Sequence, residues 1–274
     1  MTILRLAVGS SEQKTLLNTF AGFAADTVHI NDVKTINTVG TVSALALSPT
    51  PAPTRPALLV SYVYLSDFLQ KKHLYAYRDW VMDSGAFSAY TSGTIIDLDA
   101  YIAKSQELLA NDPKLTEVFS LDVIGDWRAS LKNTERMWAA GVPAIPCFHV
   151  GEPEEVLLAI ARDYPKIALG GAVGFHGKSA WAAQCFARVW PKRIHGFGFG
   201  SHRDILALPW HSTDSTNWIT DPCRFGKWQG LRKNGRIKLS RSSSGLTLRA
   251  EVEFYLRLEK RAQKKWHKEM ELLQ

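Results

Sequence analysis

Apolar residues in this chain come in short runs that stop at an acid, a histidine or a pair of glycines, with stretches of helical periodicity between them. Runs suited to strands cover 57–64, 80–87, 117–123, 144–149, 166–173, 193–199, 210–213 and 236–239. They are short, rich in β-branched and aromatic residues, and bounded by turn formers, as buried strands are. Helical patterns occupy 66–78, 97–110, 126–140, 153–164 and 178–190. A last one, near 246–273, carries Leu248, Val252, Tyr255 and Leu256 on one side. Asp97 and Asp126 stand where N-caps belong, and Gly141 with Pro143 closes the helix that Asp126 opens. Eight strands alternating with helices predict a parallel α/β sheet. Eight strands suit closure into a TIM (β/α)8 barrel over residues 57–274, with an open doubly wound sheet as the other arrangement. Residues 1–56 are expected to form a small N-terminal β/α extension: a strand at 4–8, a helix at 12–23 and a Pro-rich connector at 48–56.

Composition narrows the class without naming it. The chain has 274 residues, 46% of them apolar and 22% charged, as in an ordinary soluble domain able to bury a full core. No apolar run approaches the roughly 18 residues that span a bilayer. The first residues lack the long apolar stretch of a signal peptide, so a cytoplasmic setting is expected. The three cysteines, Cys147, Cys185 and Cys223, form no C-x-x-C pair. Neither a disulfide framework nor a structural zinc site is therefore indicated, and no metal or cofactor is expected. The glycines of Gly196-Phe197-Gly198-Phe199-Gly200 lack dinucleotide-binding spacing.

Charge changes the picture more. The formal net charge is +7, yet residues 224–274 hold 14 Lys/Arg against five Glu, a net +9, so the preceding 223 residues sum to −2. This excess lies in the segment directly after Asp214, which predicts a basic surface beside a catalytic rim and suits a polyanion, nucleic acid first. A solvated basic helix explains the same pattern.

The candidate chemistry lies where the apolar runs end. Asp83 follows Trp80-Val81-Met82 and precedes Ser84-Gly85-Ala86, while Asp214 follows His211-Ser212-Thr213. Each alone can be a turn residue. Brought to one barrel mouth, two such carboxylates can divide the work of substitution at an anomeric carbon, one as nucleophile and one as acid/base. Asp122 is a third acid, able to accept the N1–H and exocyclic amine of a guanine-like base; Asp126, four residues on, is a helix cap. Phe87 and Phe197 can stack on a flat base or simply fill core. His149 can hydrogen-bond a ligand carbonyl or play a structural part, and Gly170 and Gly171 offer either backbone N–H groups or a tight turn. His176, His195 and His202 have no acid or cysteine partners at ligand spacing.

These motifs resemble, in order, those of the tRNA-guanine transglycosylases. Asp83-Ser84-Gly85-Ala86-Phe87-Ser88 resembles that family's Asp-Ser-Gly-Gly-Phe/Tyr-Gln motif, and Ser120-Leu121-Asp122 looks like its guanine-reading strand. Gly170-Gly171-Ala172-Val173-Gly174 resembles its Gly-Gly-Leu-Ala-Val-Gly loop, with Asp214 where the nucleophile follows. The match covers roughly residues 57–240. It implies a TIM barrel with Asp214 as nucleophile on C1′ and Asp83 as general acid/base. Asp122, Phe87, Ser88, His149, Gly170, Gly171, Phe197 and Gly198 would bind the base. Arg224 and Lys227, spaced like a phosphate-gripping pair of the family, would contact nucleic acid with Arg232, Lys233 and Arg236. The family's zinc motif is missing, Ser88 and His149 replace two of its glutamines, and Phe175 stands where it has a glutamate facing an aminomethyl group. A compact chain with these changes is similar to the phage and bacterial DNA-modification transglycosylases. The partners this implies are DNA, with tRNA as the alternative, and a free 7-deazaguanine base such as 7-cyano-7-deazaguanine. A base-excising N-glycosylase on the same barrel is a further alternative; oligomeric state is unreadable from the sequence.

Overall fold

The computed structural model describes residues 2–8, 55–75, 77–218, 228–231, 237–240 and 248–271. Its main sheet has eight strands, all parallel. They are β1 (Ile3–Val8), β2 (Ala57–Ser61), β3 (Trp80–Asp83), β4 (Leu115–Val118), β5 (Cys147–His149), β6 (Lys166–Gly170), β7 (Arg193–Gly196) and β8 (Ser212–Ser215). Their spatial order is β4-β3-β2-β1-β8-β7-β6-β5. At the two ends of that order Phe119 and Ile145 form an isolated parallel bridge. Ile145 N–H donates to Val118 O and Ser120 N–H to Ile145 O, each at 2.9 Å. The sheet is therefore strongly curled. No helix among the described residues is long and apolar enough to cross a membrane.

The helices alternate with these strands: α1 (Leu65–Lys71), α2 (Ala86–Ser92), α3 (Leu98–Asn111), α4 (Trp127–Ala139), α5 (Glu154–Asp163), α6 (Lys178–Val189) and α7 (His202–Ala207). Asp97 caps α3 by accepting from Ala100 N–H at 2.7 Å, and Asp126 caps α4 by accepting from Arg128 and Ala129 N–H at 3.0 Å. Both caps follow the sequence expectation. Two short strands, β9 (Trp228–Leu231) and β10 (Ile237–Ser240), precede the last helix, α8 (Leu248–Glu271).

Two strand expectations need correction. The run at 236–239 is not the eighth strand of the main sheet; Ile237–Ser240 pairs antiparallel with Trp228–Leu231 in a separate ribbon. The missing strand is Ile3–Val8, expected outside the barrel but seated between β2 and β8. Its inward residues explain why: Arg5 and Ala7 have partners across the sheet interior that a free-standing layer could not offer.

Alternate residues of a strand face opposite sides, and here the inward set forms three storeys. At the N-terminal ends lie Arg5, Asp79, Glu117, Lys166 and Ser212. Above them Ala7, Leu59, Val81, Phe119, Ile145 and Ala168 form one apolar cluster, flanked by Cys147 and Phe197. At the C-terminal ends stand Ser61, Asp83, His149, Gly170 and Asp214, two residues beyond Leu59, Val81, Cys147, Ala168 and Ser212 respectively. The outward residues pack against helices in two larger clusters.

The last helix crosses the molecule from the acid-bearing end to the other. Near its start Tyr255 OH meets Ser215 Oγ (3.4 Å) at the end of β8. Further on, Glu259 accepts from Leu4 N–H and Arg78, Gln263 donates to Thr2 O (2.8 Å), and Lys265 donates to Leu206 O (2.8 Å). Val252, Phe254, Tyr255 and Leu258 are buried along it. The positive charges of Lys260, Arg261, Lys264 and Lys265 therefore sit toward the strands' N-terminal ends, away from Asp83 and Asp214. This corrects the expectation that the whole basic segment adjoins the catalytic rim. Arg224, Lys227, Arg232, Lys233 and Arg236 lie outside the described residues.

Candidate active site at the C-terminal ends of the strands

Asp83 is the last residue of β3, where the strand gives way to the turn that opens α2. Gly85 has a φ of 77° and donates its N–H to Asp83 Oδ2 at 3.1 Å. A Cβ here would meet Ser61 Oγ at 2.7 Å and Val63 Cγ2 at 2.8 Å, so both the backbone angle and the space demand glycine. The carboxyl is pushed up to about 7 by burial first, then by the negative charge of Asp214, with a smaller contribution from Asp122. Asp83 and Asp214 thus share one electrostatic environment across β3, β2, β1 and β8.

Asp214 is held differently. Its Oδ1 accepts from Gly198 N–H at 2.9 Å and lies 3.7 Å from His195 Nε2. It lines an open cavity of about 390 Å³ with Ala172, Val173, Phe175, Gly198 and Asn217, so it reaches solvent although its residue is 8% exposed. Asp83 and Asp122 do not line that cavity, which occupies the β6–β8 side of the mouth.

His195, given no role by its sequence context, is the link between storeys. It is fully buried, and burial pushes its imidazole down to about 4, so the ring is neutral near pH 7. Lys166 Nζ donates to Ser212 Oγ at 3.1 Å, and Ser212 Oγ meets His195 Nδ1 at 2.9 Å. An ammonium only donates, so the serine hydroxyl accepts from it and keeps its own proton free for Nδ1. The Asp214 carboxylate, 3.7 Å from Nε2, favours the ring proton on that nitrogen, so Nδ1 accepts from Ser212, a tautomer assigned from the network. Inward alternation would have found this residue: His195-x-Phe197 on β7 runs beside Ser212-x-Asp214 on β8.

Asp122 and His149 meet on the opposite wall, with His149 Nε2 3.3 Å from Asp122 Oδ2. On the ring's other side Glu152 accepts from His149 N–H at 3.0 Å, and its Oε1 lies 3.0 Å from Nδ1. Cys147 and the carboxylates Asp122 and Glu152 raise the His149 imidazole. Burial raises Asp122 against the opposing pull of His149, and raises the Cys147 thiol to about 11. The thiol is therefore neutral at pH 7, and what it offers the imidazole is a hydrogen bond rather than a charge. Asp122 Oδ1 is buried with no hydrogen-bond partner, an acceptor left open.

Other expected residues divide. Gly170 carries no side chain because one would collide with Cys147 Sγ and His149; Gly171, with φ 67°, begins the following turn. Phe197 packs against Phe119 and His195, with ring centroids 4.6 Å away in both pairs, as part of the interior wall. Phe87 is 65% exposed on the first turn of α2, near Ser88. The structure shows no contact between the two phenylalanines. Glu152 and Cys147 were missed, although Cys147-x-His149 carries the same period-two signal.

The acid at Asp83 provides a test that needs no substrate. Its folded-state pKa lies above the unfolded value, so its ionisation costs stability, progressively from about pH 4 and fully above about pH 7. Asp83→Asn should therefore stabilise the protein, by on the order of 2 kcal/mol at pH 8 after allowance for partial solvation. The gain should shrink toward pH 5. Thermal melts across that range check it; a variant less stable than wild type at pH 8 counts against the shared field.

The fold and this rim define an α/β protein with three carboxylates and a histidine at the C-terminal ends of one curled parallel sheet. No protein-family model matches the chain, and comparison with curated proteins and with solved structures finds no similar protein.

Proposed function

We propose that this protein exchanges guanine in DNA for a free 7-deazaguanine, such as 7-cyano-7-deazaguanine, on a (β/α)8 barrel, through a covalent aspartyl–deoxyribose intermediate. The observation that carries the reading is the pair Asp83 and Asp214. They come from strands on the same wall, feel one another's charge, and sit in environments that separate their roles. The bridge between Phe119 and Ile145 supports barrel closure. Active sites of such barrels lie at the C-terminal ends of the strands.

Asp214 attacks C1′ as the bond to the guanine nitrogen breaks, and Asp83 delivers its proton to the departing base. The incoming 7-deazaguanine then loses its ring N–H proton to the Asp83 carboxylate and attacks C1′, which expels Asp214 and restores both acids. Asp122, whose side chain is 13% exposed, would accept from the base edge, and the apolar Val173 and Phe175 suit a substituent without an ammonium. The target nucleotide must leave the stack for C1′ to be reached, at a cost of a few kcal/mol.

Protein incubated with DNA carrying labelled guanine and excess free 7-cyano-7-deazaguanine should release label and incorporate the analogue in equal amount. Release without incorporation would make it an N-glycosylase; exchange in tRNA alone would make it a tRNA enzyme; no release from either polymer overturns the reading. Because Asp83 must carry a proton for base release, the single-turnover release rate should fall about tenfold per pH unit above about pH 7. A rate that stays level from pH 6 to 9 contradicts that role.

A further inference from the structure

Cys147 and His149 are two residues apart on β5 and so project to the same, inward side. Asp122 reaches them from the segment after β4. One ligand atom from each of the three lies within 4.8 Å of the other two. On His149 that atom is Nε2, since Nδ1 is already engaged by Glu152. Nε2 and Cys147 Sγ converge above Gly170: a Cβ placed on that glycine would stand 2.7 Å from Sγ and 3.2 Å from Nε2. Nε2 is 3.3 Å from Asp122 Oδ2. Zinc bonds of about 2.0–2.1 Å to nitrogen and oxygen place two such ligands roughly 3.3 Å apart at a tetrahedral angle.

We propose that Asp122, Cys147 and His149 form a binding site for a zinc-class divalent cation, with the fourth coordination position open. The surroundings agree on three counts. Glu152 holds Nδ1, the outer hydrogen bond that fixes a metal-ligating imidazole's orientation and tautomer. Asp122 Oδ1 is buried without a partner, so that carboxylate is not satisfied by protein alone, and the Cys147 thiol is turned toward the His149 ring rather than away from it. The Asp122 and His149 side chains stay 13% and 22% exposed, which leaves a path to the open position. Three protein ligands with a vacant fourth place are the pattern of reactive rather than purely structural zinc. Such a position would accept water, or a carbonyl oxygen or ring nitrogen of a flat polar ligand. The thiol gives up its proton on binding, so affinity rises with pH.

The inference does not rest on base exchange, and its test uses neither DNA nor base. Full-length protein stripped with a chelator and titrated with cobalt(II) should bind one equivalent and develop a thiolate-to-cobalt charge-transfer band, which zinc then bleaches. Cys147→Ser should abolish the band, whereas Cys185→Ser, on the buried side of α6, should retain it. Glu152→Gln, which keeps all three ligands, should weaken zinc binding by about 10–100-fold. No band in the wild type, or a band that survives Cys147→Ser, overturns the proposal and leaves Asp122 and His149 as an ion pair beside a neutral thiol.

Discussion

Asp214→Ala should leave no covalent protein–DNA species on a denaturing gel and lower base exchange by roughly 10⁴-fold or more, the scale of loss when a covalent nucleophile is removed. The reason is positional. Asp214 lines the open cavity, has one oxygen fixed by Gly198 N–H, and is backed by a neutral imidazole. No other described carboxylate shares that setting, so nothing can take over the attack. Asp83→Asn should behave differently: it keeps the nucleophile but cannot supply the proton for the departing base. Its base release should slow by about 10²–10⁴-fold, the usual worth of general acid catalysis. Exchange that persists in Asp214→Ala, or an adduct that still forms, would remove the covalent mechanism.

The second large effect concerns stability. Lys166→Met should destabilise the fold by about 3 kcal/mol, since it strips the main partner from a mostly buried carboxylate. Lys166 Nζ donates to both Glu117 oxygens, at 2.8 and 2.6 Å, and Arg5 approaches Glu117 only at 3.8 Å. Burial opposes the ionisation of Glu117, but Lys166 and Arg5 outweigh it and hold the carboxyl below its ordinary range. Lys166 bears the matching cost: burial pushes its ammonium down to about 8. For a chain of this size the loss corresponds to a melting temperature lower by roughly 6–10 °C. Adding Glu117→Gln should restore much of it, because removing both charges of a buried pair costs far less than stranding one. A double variant weaker than Lys166→Met would show that this pair is not what the floor of the sheet relies on.

Much of the framework was legible in the sequence. The caps at Asp97 and Asp126 follow from a carboxylate's preference for free backbone N–H groups, a local rule that tertiary packing did not disturb. The end of β5 at His149 could be read because an apolar run that stops at a polar residue marks where chain leaves the interior, whereas β3 and β6 stop at Asp83 and Gly170, short of the expected ends at 87 and 173, where Gly85 and Gly171 turn the backbone at positive φ. Strand membership was harder. Ile3–Val8 and Ile237–Ser240 are equally good strands by composition, and only their partners, distant in sequence, place one inside the sheet and the other in a hairpin. Ser212–Ser215 is more instructive, since it is a fully buried strand without a single apolar side chain. Its residues are tolerated there because Ser212 meets Lys166 and His195, and Asp214 meets Gly198 N–H.

The same cause hid His195 and Cys147. His195 finds its partners on the neighbouring strand, at Ser212 and Asp214, and Cys147 is joined to His149 only by the two-residue period of its own strand, so a search at helical or turn spacing passes over both. The basic C-terminal segment misled for a related reason. Net charge fixes how positive a helix is, while its direction of travel decides which end of the molecule receives that charge, and that depends on where Tyr255 and Gln263 dock.

The neutral ring of His195 spans the apolar storey that separates the cations below from the acids above. Any ligand that alters the charge on Asp214 will be felt, through one imidazole and one hydroxyl, by an ammonium on the far side of the greasy layer. The underside of this protein is in that sense wired to its mouth.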